Sequence, residues 1–211
     1  MRCLCLASLC AALGCTSLRE WTDAARPLAA PMPPAQGHVV GRVSGATAPL
    51  GHAVVFLERI DETPATRAPA AVVVHQRDGR FEPDFVVTAV GQPVLFMNQD
   101  EIFHGVFSYS RPNQFERPPF PPGETRAVRF EHPGVVRTYS PLHTDMRGVI
   151  LVVPDAHHAL PNAHGVFQIG GVPAGRYRLS LWTERQGEVA RDISLAAGEV
   201  ARADLKLPPQ K

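Results

Sequence analysis

The sequence predicts an all-β protein, and three observations carry that expectation. The chain of 211 residues holds 17 Gly and 21 Pro. They are spread so evenly that, from Gly14 onward, no stretch free of both exceeds 12 residues. Helical bundles and doubly wound α/β folds need repeated helices of roughly 11–12 residues, so this punctuation disfavours them. Between the breaks lie short runs dense in Val, Ile, Phe and Tyr, which suit a pleated surface. Some alternate with period two: Tyr177, Leu179 and Leu181 fall on one face, opposite Arg176, Arg178 and Ser180. A hydrophobic share of 45% against 19% charged residues allows a packed core and argues against global disorder.

In chain order, the first element is a targeting segment. Met1-Arg2 gives a positive start, residues 3–13 (CLCLASLCAAL) are apolar or small, and Gly14 and Cys15 follow. A membrane-spanning helix needs about 20 apolar residues, so residues 1–14 read as a secretory signal peptide. Ala12-Leu13-Gly14-Cys15 resembles a bacterial lipobox, with Leu and Ala exchanged relative to the commonest order. That resemblance implies lipidation at Cys15 after cleavage, and Thr16 in place of Asp implies sorting to the periplasmic side of the outer membrane. An ordinary signal peptide cut nearby, giving a periplasmic protein, is the alternative. Residues 15–36, with Pro27, Pro31, Pro33 and Pro34, read as a lipidated tether. The four cysteines stand at 3, 5, 10 and 15, so no thiol serves the folded part. Removing Arg2 with the signal leaves 20 basic against 20 acidic residues. Such a balance gives no reason to expect nucleic acid. The expected partners are the membrane, through the lipid, and an envelope protein.

Thirteen strands are expected beyond the tether. Runs at 38–43, 52–58, 71–76, 85–90, 93–98, 105–109, 125–130, 135–139 and 148–153 are short, apolar and β-branched. Further short runs lie at 165–169, 176–182, 188–195 and 199–207. Asp78-Gly79, Pro133-Gly134 and Ala174-Gly175 sit where turns are required. So many strands exceed one small barrel, and two β domains are expected.

Residues 71–153 carry a linked pattern: Phe81-Glu82-Pro83, Gly91, Asn98-Gln99-Asp100, His104, Phe130, Pro133-Gly134, Tyr139, Ser140-x-x-His143-x-x-Met146, then Val149 to Val153. The pattern resembles the cupredoxin family, the small blue-copper proteins with a Greek-key β-sandwich. It is similar to secreted bacterial cupredoxins in which an Asn-x-Asp loop ends in His-Asn-Val-Phe-Ser. Blue-copper sites use two His and one Cys with a weak axial Met. The resemblance implies that 71–154 is a cupredoxin domain, with His104 and His143 as the two imidazole ligands and Met146 as the thioether. Ser140 stands at the thiolate position, a degenerate ligand. A serine hydroxyl is neutral and hardly ionised near pH 7, so it replaces a thiolate poorly. A His, His, Met set suits Cu(I), or Cu(II) with water or Asp145 added, without a thiolate-to-copper absorption band. Gly105 also departs from the family, which usually places Asn there, hydrogen-bonded across to the Cys loop.

Residues 163–182 resemble the carboxypeptidase regulatory-like fold, a small transthyretin-like β-sandwich, through Gly165, Phe167, Pro173, Gly175, Tyr177 and Leu179. Its usual opening, Gly-x-Val and an apolar strand, is matched by Gly41-Arg42-Val43 and Ala53–Leu57. The expectation is a discontinuous sandwich of 37–60 with 157–208, the cupredoxin being inserted; the rival is that 37–60 extends the cupredoxin sheet.

Other chemistry finds no support. No Gly-rich phosphate loop opens a helix, and no His-Glu-x-x-His motif occurs. Ser140 with His143 lacks the orienting acid and oxyanion hole of a hydrolase, so no enzyme is expected. His157, His158 and His164 could form at most a weak exposed metal patch. Phe115, Phe120 and the Pro-rich loop 117–122 suggest an apolar docking rim near the site. Two functions stay open: a copper-binding lipoprotein with a residual electron-transfer or copper-handling role, and a metal-free binding or scaffold module in an envelope complex.

Overall fold

A computed structural model describes residues 35–45, 50, 52–61 and 70–209. The signal peptide 1–14, Cys15 and the tether up to residue 34 lie outside the described residues. Every regular element among the described residues is a strand. In order these are β1 (Gly37–Ser44), β2 (Ala53–Arg59), β3 (Val72–Arg77), β4 (Arg80–Glu82), β5 (Phe85–Ala89), β6 (Pro93–Asn98), β7 (His104–Ser108), β8 (Phe115–Phe120) and β9 (Thr125–Arg129). There follow β10 (Gly134–Tyr139), β11 (Arg147–Val153), β12 (His158–Ala159), β13 (Val166–Val172), β14 (Gly175–Thr183), β15 (Gly187–Leu195), β16 (Val200–Arg202) and β17 (Leu205–Lys206).

Three features differ from the thirteen-strand expectation. First, β4 and β12 are too short to stand out from sequence. Second, the run 199–207 is two strands, both parallel to β1. The break falls where the Asp204 carboxylate accepts the Arg42 amide at 2.9 Å, so a side chain replaces a ladder bond. Third, the Pro-rich stretch expected as a loop is β8. It lies at a sheet edge with β7 as its one neighbour, and an edge tolerates Pro118 and Pro119 because no partner needs their amides. Phe120 is buried and Phe115 packs against the same core; neither forms an exposed rim.

The strands make four sheets. Two are built from β3–β11, in the orders β5-β11-β10-β7-β8 and β4-β3-β6-β9. The chain crosses between them repeatedly, in Greek-key fashion, and Val94, Phe96, Phe120, Phe130, Val136 and Val152 fill the space between. The other two have the orders β13-β1-β16, with β17 also on β1, and β12-β2-β14-β15. Their core holds Val39, Val55, Leu57, Ile169, Tyr177, Leu179 and Leu181. Val55 pairs with Leu181 and Phe56 with Ser180 across β2 and β14. Among the described residues, β1 and β2 pair with no strand of β3–β11.

A third apolar layer joins the two sandwiches. It consists of Val54 and Phe56 from β2, Val87 and Ala89 from β5, and Leu151 and Val153 from β11. Side chains alternate across a strand, so β2 sends Val55 and Leu57 into one core and Val54 and Phe56 into the other layer. Burial on both faces explains why β2 and β11 read as continuous apolar runs rather than alternating ones.

Candidate metal centre

The site lies between the loop entering β7 and the loop joining β10 to β11. Tyr139 pairs with Arg147 and closes the second loop. Within it, the Ser140 amide donates to the Met146 carbonyl at 3.1 Å, and the Met146 amide donates to the His143 carbonyl at 3.1 Å. Ser140, His143 and Met146 are thereby held around one tight turn. The Ser140 hydroxyl oxygen accepts the amides of Leu142 at 3.2 Å and His143 at 3.3 Å. This is the local side-chain bonding by which Ser shapes turns. The Ser140 hydroxyl oxygen therefore serves as a cap for its own loop.

His104 opens β7 and is fully buried. Its ring lies 4.8 Å from that of His143, centroid to centroid, at an interplanar angle of 48°. The two imidazoles expected as ligands are thus brought together from segments 39 residues apart. Both Nδ1 atoms are buried and without a hydrogen-bond partner among the described residues. Buried polar atoms are nearly always paired, so two orphaned ring nitrogens on facing imidazoles are informative. Met146 is buried too, and belongs to the core of this sandwich.

A carboxylate decides which His104 nitrogen is left free. Asp100 Oδ2 lies 2.6 Å from His104 Nε2. A carboxylate only accepts, so Nε2 carries the proton and a neutral ring keeps its lone pair on Nδ1. Asp100 is itself fixed by the amides of Asp78 at 2.7 Å and Gly79 at 3.1 Å. Those amides come from the two-residue hairpin between β3 and β4, where Asp78 has φ 50° and Gly79 φ 67°. Paired positive φ values mark the type I′ turn that Asp-Gly favours. Burial pushes the Asp100 carboxyl up, but the Gly79 and Asp78 amides and then His104 outweigh it, holding it below the usual carboxylate range. Asn98 completes the frame: its Oδ1 accepts the Asp100 amide at 3.1 Å, and its Nδ2 donates to the carbonyls of Ile102 at 2.8 Å and Phe120 at 3.1 Å.

Gly105 has a steric reason to be Gly. A Cβ there would lie 2.9 Å from Pro141 Cγ, 3.0 Å from the Arg117 carbonyl oxygen and 3.1 Å from the Pro119 nitrogen. Pro141 follows Ser140 directly, so the two ligand loops touch at this point. The Gly105 carbonyl accepts from buried Gln76 Nε2 at 3.2 Å. The two loops are packed together here rather than linked by a side-chain hydrogen bond from position 105.

Other candidates fall elsewhere. Asp145 is exposed and lines a separate cleft of about 410 Å³ with Arg80, Glu82 and Arg147. His157 uses both ring nitrogens, on Asp155 and on the Gly171 carbonyl, and His158 Nδ1 faces the Ala156 carbonyl at 3.0 Å. Among the described residues, no three His, Cys, Asp or Glu side chains gather as a metal-binding group; the candidate centre is a His pair with Met and Ser. Sequence reasoning quoted Asn98 and Asp100 but gave them no role. The available signal was an acid four residues before His104 together with an Asp-Gly hairpin.

No family model and no curated protein matches the chain. Solved structures similar to it include a purple cupredoxin from Nitrosopumilus maritimus, 22% identical over 39% of this chain and 99% of that one, with a TM-score of 0.35. A variant of amicyanin is 21% identical over 46% of this chain and 98% of its own, with a TM-score of 0.38. A copper-containing nitrite reductase from Thermus scotoductus is 21% identical over 55% of this chain but only 28% of its own, with a TM-score of 0.40.

Proposed function

We propose that this chain is a cupredoxin-like lipoprotein of the cell envelope, anchored through Cys15, that binds one copper ion at a non-blue His104, His143 and Met146 site. The observation carrying this reading is the facing pair of imidazoles whose Nδ1 atoms are buried and have no hydrogen-bond partner among the described residues. The donor set fits copper: two neutral imidazoles and a thioether suit Cu(I). Bound copper would supply one-electron exchange. Asp100 orients His104 and fixes its tautomer. Met146 and the surrounding core keep water from the inner side, while Ile102, Phe103 and Leu142 lie exposed beside the two histidines. Ser140 adds no negative charge, so the site favours the lower oxidation state and serves copper handling or slow electron transfer rather than catalysis. In the same proposal, the sandwich of β1, β2 and β12–β17 is the carboxypeptidase regulatory-like domain, a scaffold for the copper domain.

The test is metal analysis after anaerobic copper loading. One copper per chain is expected, falling at least tenfold in affinity in His143→Ala. Sub-stoichiometric copper that His143→Ala leaves unchanged would defeat the proposal. It would favour a metal-free scaffold, a second reading supported by the packing of Met146 into the core and the engagement of the Ser140 hydroxyl within its own loop. Mass spectrometry of the membrane fraction tests the anchor, since Cys15→Ser abolishes lipidation.

A further inference from the structure

The sheet β4-β3-β6-β9 carries a second group of donors on the face away from the core. Val74 and Phe96 pair in register and are buried. The next pair, His75 and Met97, must therefore point to the opposite face. The row extends across all four strands, because His75 also pairs with Glu82 and Met97 with Thr125. It reads carboxylate, imidazole, thioether, hydroxyl. His75 and Met97 are half-buried, and Glu82 and Thr125 are exposed. His75 Nδ1 is buried and has no hydrogen-bond partner among the described residues. The thioether is oriented by Gln99, whose Nε2 lies 3.8 Å from Met97 Sδ.

We propose that His75 and Met97 form a second, surface-accessible site for a soft monovalent ion, Cu(I), with Glu82 at its rim. Adjacent strands lie about 4.8 Å apart, a span that one ion between two donors bridges. An imidazole and a thioether are neutral, and the thioether is soft, so the pair selects Cu(I) over hard cations. Tetrahedral Zn(II) takes Cys, His and carboxylate donors, of which the row offers only Glu82 and His75. Two donors at a half-open surface give weak, exchangeable binding, suited to passing an ion rather than storing it. The site stands on its own residues and does not depend on His104 and His143 holding copper.

The test is titration of the full chain, with ¹³C-methyl-labelled methionine, by Ag(I) as a diamagnetic stand-in for Cu(I), read by NMR. The Met97 methyl and His75 ring signals are expected to shift within two equivalents. Met97→Leu, which conserves volume, removes the His75 response and leaves that of Met146 in place. His75→Ala weakens the Met97 response at least tenfold. A Met97 methyl that stays still through two equivalents overturns the proposal, as does a His75 response unchanged in Met97→Leu. Met97 responding while Met146 stays silent supports this site even where the buried centre fails.

Discussion

Asp100→Asn isolates the role of the carboxylate because it keeps the shape and removes only the charge and one acceptor. His104 is fully buried, and its Nε2 meets Asp100 at 2.6 Å. An Asn has two orientations there. If its oxygen takes the Oδ2 place, it keeps the Gly79 amide and the His104 Nε2–H, and its NH₂ faces the Asp78 amide that Oδ1 accepted. One backbone donor is then unpaired, at about 1–3 kcal/mol, and the ring proton stays on Nε2. If the amide is reversed, its NH₂ faces both the Gly79 amide and His104 Nε2, so a backbone donor is again unpaired and the ring proton is also forced onto Nδ1, the nitrogen the proposed copper site uses. The first orientation costs less, so the tautomer is kept while the negative charge behind it is lost. Loss of one charge-assisted bond lowers stability by about 1–2 kcal/mol, and copper affinity falls roughly 10–100-fold. Thermal unfolding reads the stability, a chelator-competition titration reads the affinity, and long-range ¹H–¹⁵N correlation of the His104 ring reads the tautomer. A variant whose ring proton moves to Nδ1, or that binds copper within twofold of the parent, would refute the reasoning. The tautomer signal is informative without any metal.

Gly105→Asn, which introduces the residue that the cupredoxin resemblance leads one to expect there, is expected to destabilise the chain by about 1–3 kcal/mol. Its Cβ would crowd Pro141, Arg117 and Pro119 at 2.9–3.1 Å; an unfolding midpoint at or above the parent's would contradict the packing described. Ser140→Cys with Cu(II) should absorb intensely in the red, whereas the parent should not; a colourless variant would mean that the loops fail to converge on one ion. His157 and Asp155 give a pH dependence. The bond to Asp155 outweighs burial and raises His157 above 6.5, so its contribution is full below pH 6.5 and fades as pH rises through the higher folded value. For Asp155, burial raises the carboxyl, but the bonds from His157 outweigh it and the value falls below 3.8; its share is lost only as pH falls through that lower value. The gap in unfolding midpoint between the parent and His157→Gln should therefore be widest near pH 5.5 and shrink toward pH 9. A gap that is flat or grows with pH contradicts the assignment.

The all-β class was legible because Gly and Pro punctuation and β-branched runs are local properties. The long strands β2, β6, β11 and β14 were legible for the same reason. Two-residue β12 and three-residue β4 were not, since strands that short exist only through their partners. Pro118 and Pro119 read locally as a loop, and β7 alone makes them part of a sheet edge. At the candidate centre, sequence singled out His104, Ser140, His143 and Met146 through spacing and resemblance. Whether two histidines 39 residues apart face each other is a long-range fact that spacing cannot contain. Only the folded chain leaves both Nδ1 atoms bare, turns the Asp78-Gly79 amides onto Asp100, and gives the Ser140 hydroxyl to its own loop. It also recast Gly105, which as sequence was a lost hydrogen bond and in space is the gap that lets Pro141 approach. Composition and periodicity set which elements form, because backbone sterics and side-chain alternation act within a few residues. Which donor atoms remain free was settled by tertiary packing, because the Asp78 and Gly79 amides that fix Asp100, and the approach of His143 to His104, come from segments distant in sequence.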